Sequence, residues 1–316
     1  MRSPAPDDLV VEAVSSDAVP EAVDLLWGDD LAGRQGHEGH VALGIGTLET
    51  SSTRASGREM HLLEARRGGR RVGAVLGLMR GSRAVQVLPP KLLVVDDDAV
   101  AGRLLAQLAE RLSRAGVRVA YAYTPKGVPA AAWFRTSSYT QANDLLVLAR
   151  PPMPMNCAVG DRRLSYRPYR EADRERWASV LAKCGVRTLD YPQFDAMLDA
   201  HDLLDVYAAT GDSGTELWRM VECEQQAVGC VMVSAHRRRG CCELTYMGLV
   251  PAARGRRWGL ELVRQTISLC GGTHSAHLVA AVDSGNDPAI AIYSRSGFVV
   301  TDRQEVFLRA FSGQPA

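Results

Sequence analysis

The segment Glu243-Leu-Thr-Tyr-Met-Gly-Leu-Val250 has the pattern of a strand end, and a basic turn, Arg254-Gly-Arg-Arg-Trp-Gly259, follows it and opens a helix. A basic, glycine-containing turn at a helix start is typical of a phosphate site, because free main-chain N–H groups and the positive end of the helix dipole both face the anion. After the helix comes an apolar strand, His277-Leu-Val-Ala-Ala-Val282, which provides a sheet for the helix to pack on. The pattern predicts a site for a nucleotide-type cofactor.

The bulk composition bounds the class of protein. A chain of 316 residues accommodates two domains of about 150 residues each. A net charge of +1 and 6% aromatic residues disfavour a nucleic-acid-binding module. The N-terminus has no apolar signal-peptide core and no apolar run reaches membrane-spanning length, so we expect a cytoplasmic protein with no membrane and no nucleic-acid partner.

Cysteine and histidine residues do not indicate a metal site. The seven cysteines are an odd number without metal-ligand spacing, which favours reduced thiols. His37-Glu-Gly-His40 and His274-Ser-Ala-His277 each lack a third ligand nearby, so surface or capping roles are favoured over metal binding. We therefore expect no metal.

The order of elements indicates two halves of the same kind. Residues 151–160 begin with the linker-like Pro151-Pro-Met-Pro-Met-Asn156, and they separate a domain at 1–150 from a domain at 161–316. In the second half, hydrophobic periodicity predicts helices over Glu171–Cys184, Tyr191–Leu204 and Leu260–Leu269, and strands over Leu217–Cys223, Ala227–Ala235, Cys241–Val250, Val299–Val300 and Glu305–Leu308.

The first half repeats this order more faintly. It has predicted strands at Leu9–Val14, His61–Ala65, Val72–Met79, Val85–Val95, Val117–Tyr123 and Leu145–Leu148, and predicted helices at Val19–Trp27, Ala99–Ala115 and Ala130–Arg135. Residues 33–58, rich in Gly, Ser and Thr, are predicted to form a loop.

Two motifs resemble those of the GNAT superfamily of N-acetyltransferases. Arg254–Gly259 resembles the family's pyrophosphate loop, Arg/Gln-x-x-Gly-x-Gly/Ala, with Arg257 at the first motif glycine. Asn286-Asp-Pro-Ala-Ile-Ala-Ile-Tyr-Ser-Arg-Ser-Gly-Phe298 resembles Asn-x-x-Ala-x-x-Leu-Tyr-x-x-x-Gly-Phe. The resemblance covers residues 162–309 and rests on element order alone over residues 9–148. The tandem layout is similar to that of mycothiol synthase and its two-domain relatives.

The resemblance implies a fold and an activity. The implied fold is α+β, an α/β/α sandwich, with tandem acyl-CoA N-acyltransferase folds that each have a mixed central sheet. The implied activity is direct transfer of an acetyl group from acetyl-CoA, used as co-substrate without a metal, to a primary amine of a small molecule or peptide. The competing hypothesis is a non-catalytic acyl-CoA-binding or regulatory pseudoenzyme.

The resemblance also assigns site residues. Tyr293 is the candidate general acid for the thiolate, and Glu243, eleven residues before Arg254, is the candidate base. Alternatives remain, since Tyr293 can pack in the core and Glu243 can be a solvated or ion-paired strand residue. The residues implied to bind the coenzyme are Met247, Gly248 and Leu249 at the acetyl and pantetheine portion, Arg254, Gly255, Arg256, Arg257, Trp258 and Gly259 at the pyrophosphate, and Asn286 at the pantetheine arm.

The first half differs at both corresponding positions. It has Asp96, Asp97 and Asp98 at a helix start, where carboxylates cap free N–H groups and repel a pyrophosphate. Thr136-Ser-Ser-Tyr139 stands where Tyr-x-x-x-Gly-Phe is expected. These differences predict that residues 1–150 are a degenerate, non-catalytic unit.

Overall fold

The computed structural model describes residues 8–14, 22, 60–94, 97–150, 161–273 and 275–311. Three predicted segments lie outside the described residues: the helix Val19–Trp27 except for Ala22, the loop at 33–58, and the linker at 151–160. His37, His40, Asp96 and His274 lie outside them as well. The described residues cluster into two compact units: unit 1 falls within Met1–Ala142 and Gln304–Ala316, and unit 2 within Asn143–Arg303.

Unit 1 is a sheet with a long helix against it. Its elements are β1 (Leu9–Ala13), β2 (Met60–Arg67), β3 (Arg70–Arg80), β4 (Ala84–Val87), β5 (Lys91–Leu92), α1 (Asp98–Arg114), β6 (Val119–Pro125), α2 (Ala130–Thr136) and β7 (Thr140–Gln141). The strands follow the order β1-β2-β3-β4-β6, with β4 and β6 parallel and the other neighbours antiparallel. Helix α1 buries Leu104, Leu105, Leu108 and Leu112, whose spacing of three and four residues forms one apolar stripe against β2 and β3.

Unit 2 has helices on both faces of its sheet. Its elements are β8 (Leu145–Arg150), β9 (Leu164–Pro168), α3 (Arg174–Gly185), α4 (Pro192–Asp195), α5 (Ala200–Ala208), β10 (Arg219–Cys223), β11 (Gln226–His236), β12 (Cys241–Leu249), α6 (Trp258–Gly271), β13 (His277–Asp283) and α7 (Asp287–Arg295), and β14 (Val299–Ala310) begins in it. The strand order is β8-β13-β12-β11-β10-β9. Strands β12 and β13 are parallel and their other neighbours antiparallel, so the sheet is mixed, as the resemblance implies.

Helices α6 and α3 cover opposite faces of the unit 2 sheet. Leu262 and Val263 of α6 belong to one core cluster with Cys242 and Leu244 of β12. On the other face, Gly248 of β12 lies against Cys184 of α3, because a Cβ at position 248 would be 2.9 Å from the Cys184 Cβ. The α+β class and the α/β/α layering expected from the sequence are confirmed.

Two strands belong to a different unit from the one that their order along the chain suggests. Strand β8 pairs antiparallel with β13 in unit 2, whereas Gln304–Ala310 of β14 pairs antiparallel with β6 in unit 1. The boundaries drawn from the sequence, 1–150, 151–160 and 161–316, assign both strands by chain order. Hydrophobic alternation identifies a strand but does not identify its partner, so the exchange is not visible in the sequence.

Three predicted elements differ in detail. The single helix expected over Tyr191–Leu204 is two helices, because Asp199 ends the run and caps α5 by accepting hydrogen bonds from His201 N and Asp202 N. The strand expected over Val85–Val95 is broken into β4 and β5, with Pro89 and Pro90 between them. The two last strands expected at Val299–Val300 and Glu305–Leu308 are one strand, β14.

Candidate active site

Strands β12 and β13 separate halfway along their length. They pair in parallel from Cys241 with His277 to Leu244 with Ala280, and the pairing ends there although β12 continues to Leu249 and β13 to Asp283. Over the rest of its length β12 pairs with β11 only. The main chain of residues 245–249 therefore has one edge that is not used by the sheet. An open edge at strand ends is where an extended ligand can pair with main-chain groups.

A β-bulge at Thr245 marks the point of separation. Met232 of β11 opposes Tyr246 and Val233 opposes Leu244, so Thr245 is the additional residue on β12. The extra residue shifts the alternation of side chains along β12 by one position. The residues that pack on the α6 side are then Cys242, Leu244, Met247 and Leu249, and those on the α3 side are Tyr246 and Gly248 with, by alternation, Glu243.

The basic turn leaves the start of α6 uncapped. Arg257 is the N-cap residue, and its side chain makes no capping hydrogen bond. It has φ 64° and ψ 10°, a left-handed conformation that favours glycine, which is the residue the family motif has at this position. Gly255 has φ 77°. Because no side chain caps the helix, the first N–H groups of α6 remain available to an anion.

Arg254 holds the turn in place through main-chain oxygens. Its guanidinium donates to Leu249 O at 3.1 Å, to Arg187 O at 3.1 Å and to Cys184 O at 2.8 Å. These bonds join the turn to the end of β12 and to the segment at the end of α3. The side chain is thus used to fix the loop, and the phosphate contact expected from it would require some of these bonds to break.

Trp258 and Gly259 are both packed inside unit 2. Trp258 is 2% exposed, and its indole N–H donates to Asp161 Oδ2 at 3.0 Å. The guanidinium of Arg256 lies 5.2 Å from the centre of the Trp258 ring, a cation–π contact. A Cβ on Gly259 would lie 2.7 Å from Ile292 Cδ1, so the glycine permits close approach of α6 and α7. Any coenzyme contact from these two residues therefore comes from their main chain.

Asn286 and Tyr293 lie on α7, beside the opening. The Asn286 side chain caps α7 by accepting from Ala289 N at 3.3 Å and also hydrogen-bonds Asp190. Tyr293 is 5% exposed, its ring centre is 5.4 Å from that of Phe298, and its hydroxyl has no hydrogen-bond partner among the described residues. Burial first, and then the Asp190 carboxylate, raise the pKa of Tyr293 above its usual value. The phenol therefore keeps its proton at neutral pH, as a general acid requires.

Glu243 is in a hydrogen-bonded pair with a neighbouring strand residue. It is 9% exposed, and its Oε2 lies 2.8 Å from His236 Nε2 of β11. Within the described part of the chain no hydrogen bond connects Glu243 to Tyr293. This geometry corresponds to the paired alternative for Glu243.

A group of acidic residues at the opening was not identified from the sequence. Asp190 Oδ1 accepts from Asp283 N at 2.8 Å, and Asp283 Oδ1 accepts from Asn143 Nδ2 at 2.8 Å and from Gly285 N at 2.7 Å. Asp195, at the end of α4, is half-buried. Asp195 falls inside the predicted amphipathic helix Tyr191–Leu204 and Asp190 directly before it, and carboxylates there indicate a solvated face, so no sequence pattern pointed to a site.

Burial raises the pKa of both Asp190 and Asp195. It is the largest cause that raises the pKa of Asp190 to about 6, against the hydrogen bonds from Asp283 N and Asn286. Burial first, and then the Asp190 carboxylate, raise the pKa of Asp195 to about 7. A carboxylate with a pKa near neutrality suits proton transfer at physiological pH.

Arg237, which follows β11, lies on the surface of unit 2. Arg237 Nη2 lies 3.2 Å from Glu216 Oε2, and both side chains are largely exposed, consistent with a solvated charge cluster. Among the described residues, no group of three or more His, Cys, Asp or Glu side chains is arranged to hold a metal ion. None of the described helices is both long enough and apolar enough to span a membrane.

In unit 1 the corresponding helix start is occupied by its own side chains. Asp97 is the N-cap of α1, accepts from Val100 N at 3.3 Å, and pairs with Arg67 at 2.8 Å. Asp98 Oδ1 accepts from Trp133 Nε1 at 2.6 Å. The N–H groups that α6 leaves uncapped are therefore capped in α1 and flanked by carboxylates, which repel an anion.

Both units have a turn that brings a tyrosine and a phenylalanine together, but the two residues exchange positions in unit 1. Phe298 N donates to Tyr293 O at 3.1 Å, and Tyr139 N donates to Phe134 O at 3.2 Å. The ring centres are 5.4 Å apart in the first pair and 5.0 Å in the second. Phe134 thus stands at the position of Tyr293, and unit 1 has no phenol there.

Comparisons with known proteins agree with this geometry. Residues 163–299 match the family model described as acetyltransferase (GNAT) domain. A search of curated proteins finds no match. The fold is similar to a GCN5-related N-acetyltransferase from Sphaerobacter thermophilus, with TM-score 0.63 and 14% identity over 98% of both chains. It is also similar to a tandem GNAT protein from the clavulanic acid biosynthesis pathway, with TM-score 0.60 and 15% identity over 97% of this chain and 100% of that one.

A third similar structure, a putative acetyltransferase from Pyrococcus horikoshii, has TM-score 0.57 and 11% identity over 99% of this chain and 92% of that chain. Likeness at these identities establishes the fold, and the family model covers the part of the chain that contains the uncapped helix start and Tyr293. The chain therefore has a tandem GNAT fold, and residues 163–299 in its C-terminal half match the acetyltransferase (GNAT) domain.

Proposed function

We propose that the protein is an acetyl-CoA-dependent N-acetyltransferase with one working site, in unit 2, and that it transfers the acetyl group directly to a primary amine of a small molecule or peptide. The observation that carries this proposal is the opening between β12 and β13 beside the uncapped start of α6. Unit 1 is the degenerate, non-catalytic unit of this proposal. All described cysteines are free thiols, which supports a reducing compartment such as the cytoplasm.

The coenzyme would lie along the opening. The main chain of Met247, Gly248 and Leu249 would pair with the pantetheine arm and place one N–H near the thioester oxygen, where charge develops as the amine attacks. The N–H groups from Gly255 to Gly259 would hold the pyrophosphate at the start of α6, and the guanidinium of Arg257 would add positive charge. Arg254 would act by holding this turn in place, and Asn286 would border the pantetheine arm.

Tyr293 would protonate the departing thiolate. Its raised pKa keeps the hydroxyl protonated, and the hydroxyl has no hydrogen-bond partner among the described residues, so it is available to the sulfur. The second candidate function, a non-catalytic acyl-CoA-binding or regulatory protein, is favoured by the pairing of Glu243 with His236. The two functions differ in whether the buried phenol is needed for turnover.

The test is Tyr293→Phe, with Tyr139→Phe as the matched control. Both phenols are buried, and Tyr139 stands in the equivalent turn of unit 1. Release of free CoA thiol is measured against a panel of primary amines, and acetyl-CoA affinity by calorimetry. We expect Tyr293→Phe to lower kcat about 100-fold with an unchanged Kd, and Tyr139→Phe to change neither. Acetyl-CoA binding without turnover of any amine would identify the binding protein instead.

A further inference from the structure

Asp195 lies near the open end of β12: its Oδ2 would be 3.5 Å from a Cβ on Gly185, and a Cβ on Gly248 would be 2.9 Å from the Cys184 Cβ and 2.6 Å from the Tyr246 hydroxyl. On one side it acts on Tyr246 of β12, since its charge is among the causes that raise the pKa of that phenol. On the other side, the charge of Asp190 is among the causes that raise the pKa of Asp195, and Asp190 accepts a hydrogen bond from Asp283 N at the end of β13. Asp195 is therefore placed at the opening that the proposed coenzyme site borders.

The segment that carries Asp195 is fixed to the end of β13. Tyr191, which precedes α4 with φ 43°, donates from its main-chain N to Asp283 Oδ2 at 3.4 Å and from its hydroxyl to Asn143 O at 3.3 Å. Together with the bond from Asp283 N to Asp190, these contacts hold the start of α4 against the sheet. A base on a fixed segment keeps its position relative to the reacting atoms.

Among the described residues, no cation pairs with the carboxylates of Asp190, Asp195 and Asp283. Asp283 is satisfied by hydrogen bonds, and Asp190 by Asp283 N and Asn286. The Asp195 carboxylate has neither a hydrogen bond nor an ion pair among the described residues, and no arginine, lysine or histidine is among the groups that shift its pKa or that of Asp190. Buried carboxylates are normally paired, so this arrangement calls for a cation from outside the chain.

Three tyrosines complete the surroundings of the acidic cluster. The rings of Tyr207 and Tyr246 lie 5.2 Å apart between centres on the same face of the sheet, and aromatic faces attract ammonium groups. Tyr293 is more than nine-tenths buried, and the charge of Asp190 acts on its hydroxyl, which is unpartnered among the described residues. Within the part of the chain that the structure describes, this hydroxyl is thus available to a ligand.

We propose that Asp195 is the general base of unit 2 and the anionic anchor of its acceptor, a primary alkylamine that enters as the ammonium ion. This inference rests on the proposed function. The ammonium gives one proton to Asp195, and the free amine nitrogen attacks the thioester carbonyl carbon. The C–N bond forms, the C–S bond breaks, and the sulfur leaves as a thiol with the proton of Tyr293. The proton shed by the acylated nitrogen restores Tyr293 through solvent, and the proton on Asp195 is released.

The groups that face Asp195 set its protonation. They are the Asp190 carboxylate, the Tyr246 phenol on β12 and, through Asp190, the Asp283 carboxylate on β13. Burial first, and then the Asp190 charge, oppose deprotonation of Asp195 until a cation arrives, whereas the Tyr246 phenol keeps its proton at neutral pH and adds no charge. Binding of an ammonium ion then favours the charged carboxylate that accepts the proton.

The experiment titrates n-butylamine into the CoA-saturated protein at pH 8 by calorimetry, with 1-butanol as the uncharged probe of the same shape. Wild type is compared with Asp195→Asn and with Asp302→Asn, an exposed aspartate on β14 whose change removes the same charge. We expect n-butylamine to bind wild type and Asp302→Asn alike, to bind Asp195→Asn at least tenfold more weakly, and 1-butanol not to bind. Equal binding to all three proteins, or no binding of n-butylamine, overturns the proposal.

A second measurement separates this inference from the proposed function. Acetyl-CoA affinity is measured for the same proteins, and we expect Asp195→Asn to leave it unchanged, since the base does not hold the coenzyme. Failure of acetyl-CoA to bind wild type would refute the proposed function. The butylamine titration is therefore repeated on the protein without CoA, where weaker binding to Asp195→Asn than to wild type and Asp302→Asn would still support Asp195 as the anchor of an ammonium ion, and equal binding would not. The rate of n-butylamine acetylation is then measured as a function of pH. In wild type, we expect the rate to fall as the pH drops below about 7, because Asp195 becomes protonated. In Asp195→Asn, we expect most of the activity to be lost and this fall to be absent.

Discussion

Gly259 of α6 lies against Ile292 of α7, so that a Cβ on the glycine would be only 2.7 Å from Ile292 Cδ1. A larger residue at position 259 must therefore displace the end of the Ile292 side chain. α6 supplies the uncapped N–H groups, and α7 carries Tyr293. A change at this contact consequently affects both parts of the proposed site.

Gly259→Glu is expected to abolish acetyl-CoA binding. The new side chain forces Ile292 to move and places a carboxylate at the helix start, where it competes with the pyrophosphate for the same N–H groups. Gly271→Glu is the control, because it adds the same side chain to the other end of α6 at a position with nothing within 4 Å of its Cβ. Calorimetric Kd values decide the point, and a normal Kd for Gly259→Glu would place the coenzyme elsewhere.

Arg257→Gly is expected to stabilise the protein. Arg257 has φ 64°, and a left-handed conformation costs a residue with a side chain about 1–2 kcal/mol. Glycine recovers part of this in the folded state and loses part in the unfolded state, so we expect a net gain of about 0.5–1 kcal/mol. Arg256→Gly, in the same turn and without a positive φ, should destabilise by removing the stacking on Trp258. Urea unfolding measures both, and a loss of stability in Arg257→Gly would show that its guanidinium stabilises the loop more than its backbone strains it.

Arg254→Lys is expected to weaken acetyl-CoA binding although the charge is kept. A lysine ammonium cannot reproduce the planar arrangement of donors that reaches Leu249 O, Arg187 O and Cys184 O together. We expect Tm to fall by several degrees and Kd to rise about tenfold, because a hydrogen bond from a charged group contributes about 1.5–3 kcal/mol. A variant with normal Tm and a higher Kd would mean that Arg254 binds phosphate directly.

Asp195→Asn is expected to stabilise the protein at high pH. The pKa of Asp195 is raised to about 7 in the folded state, above its value of about 3.9 in the unfolded chain. Ionising it therefore disfavours the fold: the penalty is absent below about pH 4, grows as pH rises, and is complete above about pH 7. Melting curves at pH 4 and pH 8 should show a higher Tm for the variant only at pH 8, by about 2–4 °C for each kcal/mol relieved. Equal Tm differences at both pH values would contradict an unbalanced carboxylate.

Local sequence patterns predicted most helices and strands of the fold, but they could not predict which strands pair with each other in three dimensions. The stripe of Leu104, Leu105, Leu108 and Leu112 and the turn before α6 depend on neighbours in the chain, so both are visible in the sequence. The destination of β8 depends on hydrogen bonds to β13, far along the chain, and no local pattern encodes it.

The same distinction applies to the candidate site. Tyr293 and Asn286 belong to a motif of fixed spacing on one helix, and the structure places them at the opening. Asp190 and Asp195 come there only because Asp283 and Asn143 hold the segment before α4. Glu243 shows the converse, since its spacing from Arg254 fits a base whereas its strand neighbour His236 bonds its carboxylate.

The central claim is that unit 2 has a coenzyme site and unit 1 has none, because Asp97 caps α1 and Phe134 replaces the phenol. The most direct measurement is the stoichiometry of acetyl-CoA binding to the full chain, by calorimetric titration of protein at a known active concentration. One molecule per chain is the predicted result. Two molecules per chain, or one that persists in Gly259→Glu, would contradict it.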